Sequence, residues 1–249
     1  MAMERLKASS VNTNMEITPV LMLCDNSGTM AKFTQIVHNC LENMVSGLKR
    51  RPSTGSCIDL CVATFNTDFK VLVPFTRLAN IQNIPEIKPT ELATFLGEAV
   101  SKSVQLLAEE KAKLKAAQIS YCQPLLIVLS DGLPEYENED VTAAGIKAIQ
   151  DKIRQEKWSC IPILIGQEFA DRKTVLAELA SPDKNGIRRE FKFTDENQIS
   201  NLMASLSFAG ATIRAVAENG CSGTEDLMEH FRRLSILGNN HKFLFNDKN

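Results

Sequence analysis

At 249 residues and 44% hydrophobic content the chain can bury one substantial core, and its net charge of −2, with signs interleaved, gives no basic field for nucleic acid. Seven cysteines, an odd number without a CxxC pair, argue against a secreted disulfide framework. Residues 1–15 are a polar lead of mixed charge, and no run of about 20 apolar residues occurs, so the expectation is a cytoplasmic protein that neither enters nor crosses a membrane.

The first strand is Val20 to Cys24, apolar on both faces and ended by Asp25-Asn26-Ser27-Gly28-Thr29, the pattern of a buried parallel strand. Phe33, Ile36, Val37, Cys40, Leu41, Met44, Val45 and Leu48 then recur at helical spacing, up to Lys49-Arg50-Arg51-Pro52, where basic residues suit the helix end and proline stops it. Ile58 to Phe65 reads as a second strand. The turn Asn66-Thr67-Asp68 leads into Phe69 to Phe75, whose alternation and proline suit an antiparallel edge strand. Residues 76–90 read as an ordered loop.

Thr94, placed like an N-cap, opens a helix with apolar positions at Val100, Val104, Leu107, Leu114 and Ile119. Pro124 to Ser130 is the most apolar strand and ends in Asp131-Gly132-Leu133-Pro134. A third helix, Asp140 to Lys157, sets Val141, Ala144, Ile149 and Ile153 near one face. Trp158 to Gly166 is a strand, Arg172 to Ala180 a short helix, Arg189 to Phe193 a short strand and Glu196 to Phe208 a last helix. Cys24, Cys57, Cys61 and Cys160 lie in apolar strand-like runs, and Cys122 just before one, so they read as buried thiols rather than ligands. This alternation gives an α/β fold: a doubly wound, Rossmann-like, mostly parallel sheet with one antiparallel edge strand and helices on both faces. The domain spans residues 16–209. Residues 210–249 form a C-terminal extension, with a possible helix over 225–237 that either packs back on the domain or binds a partner.

Three strand-to-helix junctions carry oxygen side chains: Asp25, Ser27 and Thr29 after the first strand, Thr94 before the second long helix, and Asp131 after the Pro124–Ser130 strand. In a doubly wound sheet these loops meet at the carboxyl edge, where ligands bind. Two carboxylates neutralise a divalent cation and three hydroxyls fill positions without adding charge, which leaves the ion electrophilic. Such hard oxygen donors suit Mg²⁺ or Mn²⁺, ahead of Ca²⁺ and unlike zinc.

Asp25-x-Ser27-x-Thr29, the Thr94-Phe-Leu-Gly97 block and Val-Leu-Ser-Asp131-Gly-Leu-Pro134 resemble the three parts of a metal-ion-dependent adhesion site in a von Willebrand factor type A domain. Glu91-Leu-Ala93 stands where that family usually has glycines, and Thr94 rather than Thr90 is taken as the ligand because only Thr94 precedes a Leu-Gly step. The Phe65–Asp68 turn, Leu72-Val-Pro-Phe-Thr76 and Ile163-Leu-Ile-Gly166 resemble, within that family, the bacterial TerY-like cytosolic proteins associated with tellurite resistance. The resemblance implies a non-enzymatic interaction module whose metal is completed by a carboxylate from a protein partner. It implies also a role in stress response beside kinase- or phosphatase-like proteins.

Rival readings are weaker. A haloacid-dehalogenase-type phosphatase would use Asp25 as nucleophile, but its D-x-D-x-T pattern meets Ser27 where the second carboxylate must protonate the leaving group. Ser27-Gly-Thr-Met-Ala-Lys32 lacks the spacing of a phosphate-binding P-loop. His38 on a helix, with His230 and His241 in the tail, reads as a surface histidine rather than part of a triad. A structural subunit with a vestigial site and tail-mediated binding is the further alternative. Glu135, Glu137, Glu139 and Asp140 read as a solvated helix start or, alternatively, as a rim of the metal site. Lys111, Lys113 and Lys115 read as a solvated face.

Overall fold

The computed structural model describes residues 16–49, 57–132, 136–166, 175–182, 186–188 and 190–193. The sequence expectations for Arg50–Pro52, Leu133–Glu135, the first three residues of the Arg172–Ala180 helix, the helix over 196–208 and the 210–249 extension lie outside these residues.

Six strands, β1 (Thr18–Asp25), β2 (Ile58–Phe65), β3 (Phe69–Arg77), β4 (Leu125–Ser130), β5 (Ser159–Ile165) and β6 (Phe191–Phe193), form one sheet in the order β3-β2-β1-β4-β5-β6. Only the β2–β3 pair is antiparallel. The order reverses at β1, whose neighbours are β2 and β4, so the loops after β1 and β4 share one end of the sheet. The fold class expected from the sequence is the one observed.

Strand side chains alternate between two cores because the strand period is two. Val20, Met22 and Cys24, with Leu125, Ile127 and Leu129, face Val37, Leu41 and Val45 of α1 (Ala31–Lys49). Leu21 and Leu23, with Leu126 and Val128, face the helices α2 (Leu96–Ala116) and α3 (Glu139–Glu156). The 76–90 loop contributes to the first core. After a short 3₁₀ turn, Leu78–Asn80, it buries Ile81, Ile84 and Ile87. A short helix α4 (Leu176–Leu179) closes the second core beside β5.

The third helix departs from its expected face. Val141 is 39% exposed and Ala144 is also exposed, while Thr142, Gly145, Ile149 and Ile153 are buried. The cause is a backbone crossing of α2 and α3. A Cβ on Gly145 would lie 2.2 Å from the Gly97 carbonyl oxygen, and one on Gly97 2.4 Å from Thr142 Cα. Glycine, invisible to hydrophobic periodicity, sets the buried stripe there. Ile119 also departs from expectation. The α2 helix ends at Ala116, Gln118 turns with φ 56°, and Ile119 stands 39% exposed.

Candidate metal centre

The β1 strand delivers Asp25 into the sheet's carboxyl edge with 1% exposure. A buried carboxylate needs donors, and local sequence supplies one: Ser27 N–H donates to Asp25 Oδ1 (2.9 Å), closing a turn of Asx type. The parallel β1–β4 register, Cys24 opposite Leu129, sets Ser130 beside Asp25, and the Ser130 hydroxyl donates to Asp25 Oδ2 (2.7 Å). Burial pushes the Asp25 carboxyl up to about 6; the Ser27 and Ser130 hydrogen bonds oppose the rise, and the charge of Asp131 adds to it. Asp131, the next residue along from Ser130, is itself 2% exposed. Gly132 follows with φ 87° and donates its N–H to Ser130 Oγ (3.0 Å), a turn only glycine makes without strain.

Ser27 is buried, and its Oγ lies 3.3 Å from the hydroxyl of Thr29, which sits on the exposed first turn at Gly28–Met30. This loop is tied to the segment carrying Thr94. Gly28 N–H donates to Leu92 O (3.3 Å). Asn26 and Asn66, both buried, join the β1 loop to the β2–β3 turn through Asn66 Nδ2 and Asn26 Oδ1 (3.1 Å). Phe95 N–H then donates to Asn66 O (2.9 Å). Asn26 Nδ2 also donates to Lys88 O (2.8 Å). The loops bearing Asp25, Ser27, Thr29, Thr94 and Asp131 are thus brought to one rim.

The two candidate threonines have different surroundings. Thr90 is half-buried, and both its N–H (2.9 Å) and its hydroxyl (3.1 Å) donate to Asn26 O. Thr94 is 1% exposed, and its Oγ1 has no hydrogen-bond partner. The N-cap expected at Thr94 is not formed. Phe95 holds the cap position, and the amides of Gly97 and Glu98 donate instead to the carboxylate of Glu137. Glu137 is therefore neither part of a solvated helix start nor a free rim charge. It lies 40 residues from Gly97 in sequence, and no local pattern betrays the contact. Asn138, beside it, caps α3 by accepting from Asp140 N–H (2.8 Å).

The donor set fits a hard divalent cation. Among the described residues no three His, Cys, Asp or Glu side chains converge on one point, so two carboxylates and neutral hydroxyls are the available chemistry. A buried hydroxyl without a partner costs free energy unless a ligand fills its place. Thr94 Oγ1 is such a group.

Elsewhere, Cys24, Cys57, Cys61 and Cys160 are buried and Cys122 half-buried. Burial pushes the Cys24 and Cys61 thiols up to about 12, which removes them from thiolate chemistry. His38, expected at the surface, is buried on α1 at 8% exposure, its Nε2 3.9 Å from Glu42. Lys111 is not a solvated face. It bridges Gln123 (3.1 Å) and Glu156 (2.9 Å) and lies over the ring of Trp158.

The family model described as von Willebrand factor type A domain matches residues 20–205. Solved structures share the fold at low identity. The pilus adhesin SpaC from Lactobacillus rhamnosus GG is 10% identical with a TM-score of 0.61, over 81% of this chain and 31% of that one. The vWF domain of the type V pili tip protein Mfa5 from Porphyromonas gingivalis is 11% identical with a TM-score of 0.55, over 78% of this chain and 95% of that one. The von Willebrand factor type A protein from Catenulispora acidiphila is 15% identical with a TM-score of 0.53, over 79% and 43%. The chain thus spans about a third of the length of the SpaC adhesin it matches. No curated protein sequence matches the chain.

Proposed function

Because this chain belongs to the von Willebrand factor type A domain family, whose members are typically interaction modules, we propose that it is a divalent-metal-dependent protein-binding module. Asp25, Ser27, Thr29, Thr94 and Asp131 hold the ion, directly or through water. The ion is Mg²⁺ or Mn²⁺, ahead of Ca²⁺, since the donors are hard oxygens. A bound cation supplies an electrophilic centre for the carboxylate of an Asp or Glu on a protein partner. The chain's own residues position it: Ser27 N–H and the Ser130 hydroxyl fix both oxygens of Asp25, and the Asn26–Asn66 pair fixes the loops. The reading extends to a non-enzymatic, cytoplasmic, TerY-like role in a stress response such as tellurite resistance, with a kinase- or phosphatase-like protein as partner.

The observation that carries the reading is the buried, unpartnered hydroxyl of Thr94 on the rim it shares with Asp25, whose carboxyl burial and Asp131 hold above its ordinary range. The test is binding of an array of Asp- and Glu-bearing peptides in Mg²⁺ and in EDTA, wild type beside Asp25→Ala. Capture that needs both the metal and Asp25 supports the proposal. Capture that persists in EDTA or in the variant moves the binding surface elsewhere.

A further inference from the structure

Besides Asp131, the β4–α3 loop carries the carboxylate of Glu137, which reaches across to α2. Glu137 Oε2 accepts from Gly97 N–H (2.8 Å) and Glu137 Oε1 from Glu98 N–H (2.9 Å). The Thr142 hydroxyl donates to the same Oε2 (2.7 Å). Counted from the cap position at Phe95, Gly97 and Glu98 carry the second and third amides of α2, and Phe95 offers no side-chain acceptor for them. These are the donors that a threonine at a helix mouth ordinarily satisfies. The threonine at this mouth is Thr94, and its buried oxygen is left without a partner. One carboxylate therefore does two things. It caps α2, and it ties the loop of Asp131 to the helix behind Thr94.

We propose that Glu137 is a positioning residue of the metal centre: by occupying the Gly97 and Glu98 amides it keeps the Thr94 hydroxyl available to the ion. The inference rests on the ion-site reading above. Without Glu137 two amides at the mouth of α2 lose their acceptor, and Thr94 Oγ1 is an oxygen there without a partner in the protein. A threonine recruited as the cap turns from the metal to the helix.

The test is a double-mutant cycle on the full chain with Thr94→Val and Glu137→Ala, read by Mg²⁺ titration. Glu137→Ala is expected to weaken Mg²⁺ binding by roughly the 10- to 100-fold that loss of an outer-shell partner costs. The double variant should bind no more weakly than Thr94→Val alone. Unchanged affinity in Glu137→Ala, or losses that multiply in the double variant, overturns the proposal. Thr94→Ser, which keeps the hydroxyl, should keep Mg²⁺ binding and guards against a Thr94→Val variant that fails to fold.

A second readout needs no metal. In EDTA the Gly97 amide should stay protected from hydrogen exchange in Glu137→Ala, because Thr94 takes it, and lose protection in the double variant. Equal loss in both contradicts the exchange of caps whether or not Mg²⁺ binds. A wild type that binds no Mg²⁺ but shows this pattern overturns the ion-site reading and leaves the competition of Glu137 and Thr94 for the helix intact.

Discussion

The two ends of the sheet give their carboxylates different partners. At the amino ends of the strands, Glu156 is held by Lys152 and by Lys111 (2.9 Å), and both lysines lie over the ring of Trp158. Those hydrogen bonds, from Lys152 first, pull the Glu156 carboxyl down to about 2. Arg77 lies 3.3 Å from Asp59, although there burial still outweighs the guanidinium and raises the carboxyl, with Glu110 adding to the rise. At the carboxyl ends, burial holds the Asp25 carboxyl up at about 6, its donors are an amide and a hydroxyl, and Asp131 is a like charge beside it. At the amino end each carboxylate meets a basic side chain, Glu156 between two helices and Asp59 between two strands. The carboxyl end holds charge at a cost that a cation would relieve.

The largest effect is expected from Asp131→Asn, which should abolish measurable Mg²⁺ binding. Thermal unfolding in EDTA should not fall, since removing one of two buried like charges relieves repulsion. A drop in stability with Mg²⁺ binding retained would make Asp131 a structural residue like those of the other end.

Next comes pH. The Asp25 carboxyl is raised from 3.8 to about 6, so the metal-free fold binds that proton more tightly than the unfolded chain does. Its contribution to stability is full below 3.8 and is lost as pH rises to about 6, on the order of 3 kcal/mol at most. Mg²⁺ affinity should rise across the same window as the proton leaves. Unfolding in EDTA between pH 4 and 7, wild type beside Asp25→Asn, checks the sign, and the variant should flatten the dependence.

Asp59→Asn separates the ends from the other side. It removes a carboxylate whose charge burial disfavours more than Arg77 supports it, so stability near neutral pH should rise rather than fall, measured by denaturant unfolding, while Mg²⁺ affinity stays within about twofold of wild type. The smallest effect belongs to Glu156→Gln. That side chain is a third exposed, so the loss should stay below about 1 kcal/mol. Because the Glu156 carboxyl is lowered from 4.5 to about 2, the loss should be full above 4.5 and fade as pH falls toward 2.

Much of this was legible in the sequence where the signal is local. Val20 to Cys24 and Pro124 to Ser130 read as buried strands because both faces are apolar, and the oxygen-bearing turns that follow them stand out against those runs. What was hidden lies in contacts between distant segments. The Asn26–Asn66 pair looks like ordinary turn chemistry at each position, and only the β1–β2 register makes it one scaffold. Glu137 sits in an acidic stretch whose neighbours are exposed, so its reach to Gly97 cannot be inferred from composition. Gly97 and Gly145 signal no packing through hydropathy, yet their crossing sets the buried face of α3 and turns Val141 outward. Lys111 departs from a solvated face for a related reason: its partners come from two other segments.

The central claim is that the carboxyl-end rim is a divalent-metal site. Its most direct test is calorimetric titration of Mg²⁺ and Mn²⁺ into metal-free full chain, wild type beside Asp25→Ala. The expected result is one stoichiometric site in the wild type, absent from a variant that remains folded. Equal binding in both proteins, or none in the wild type, would contradict it.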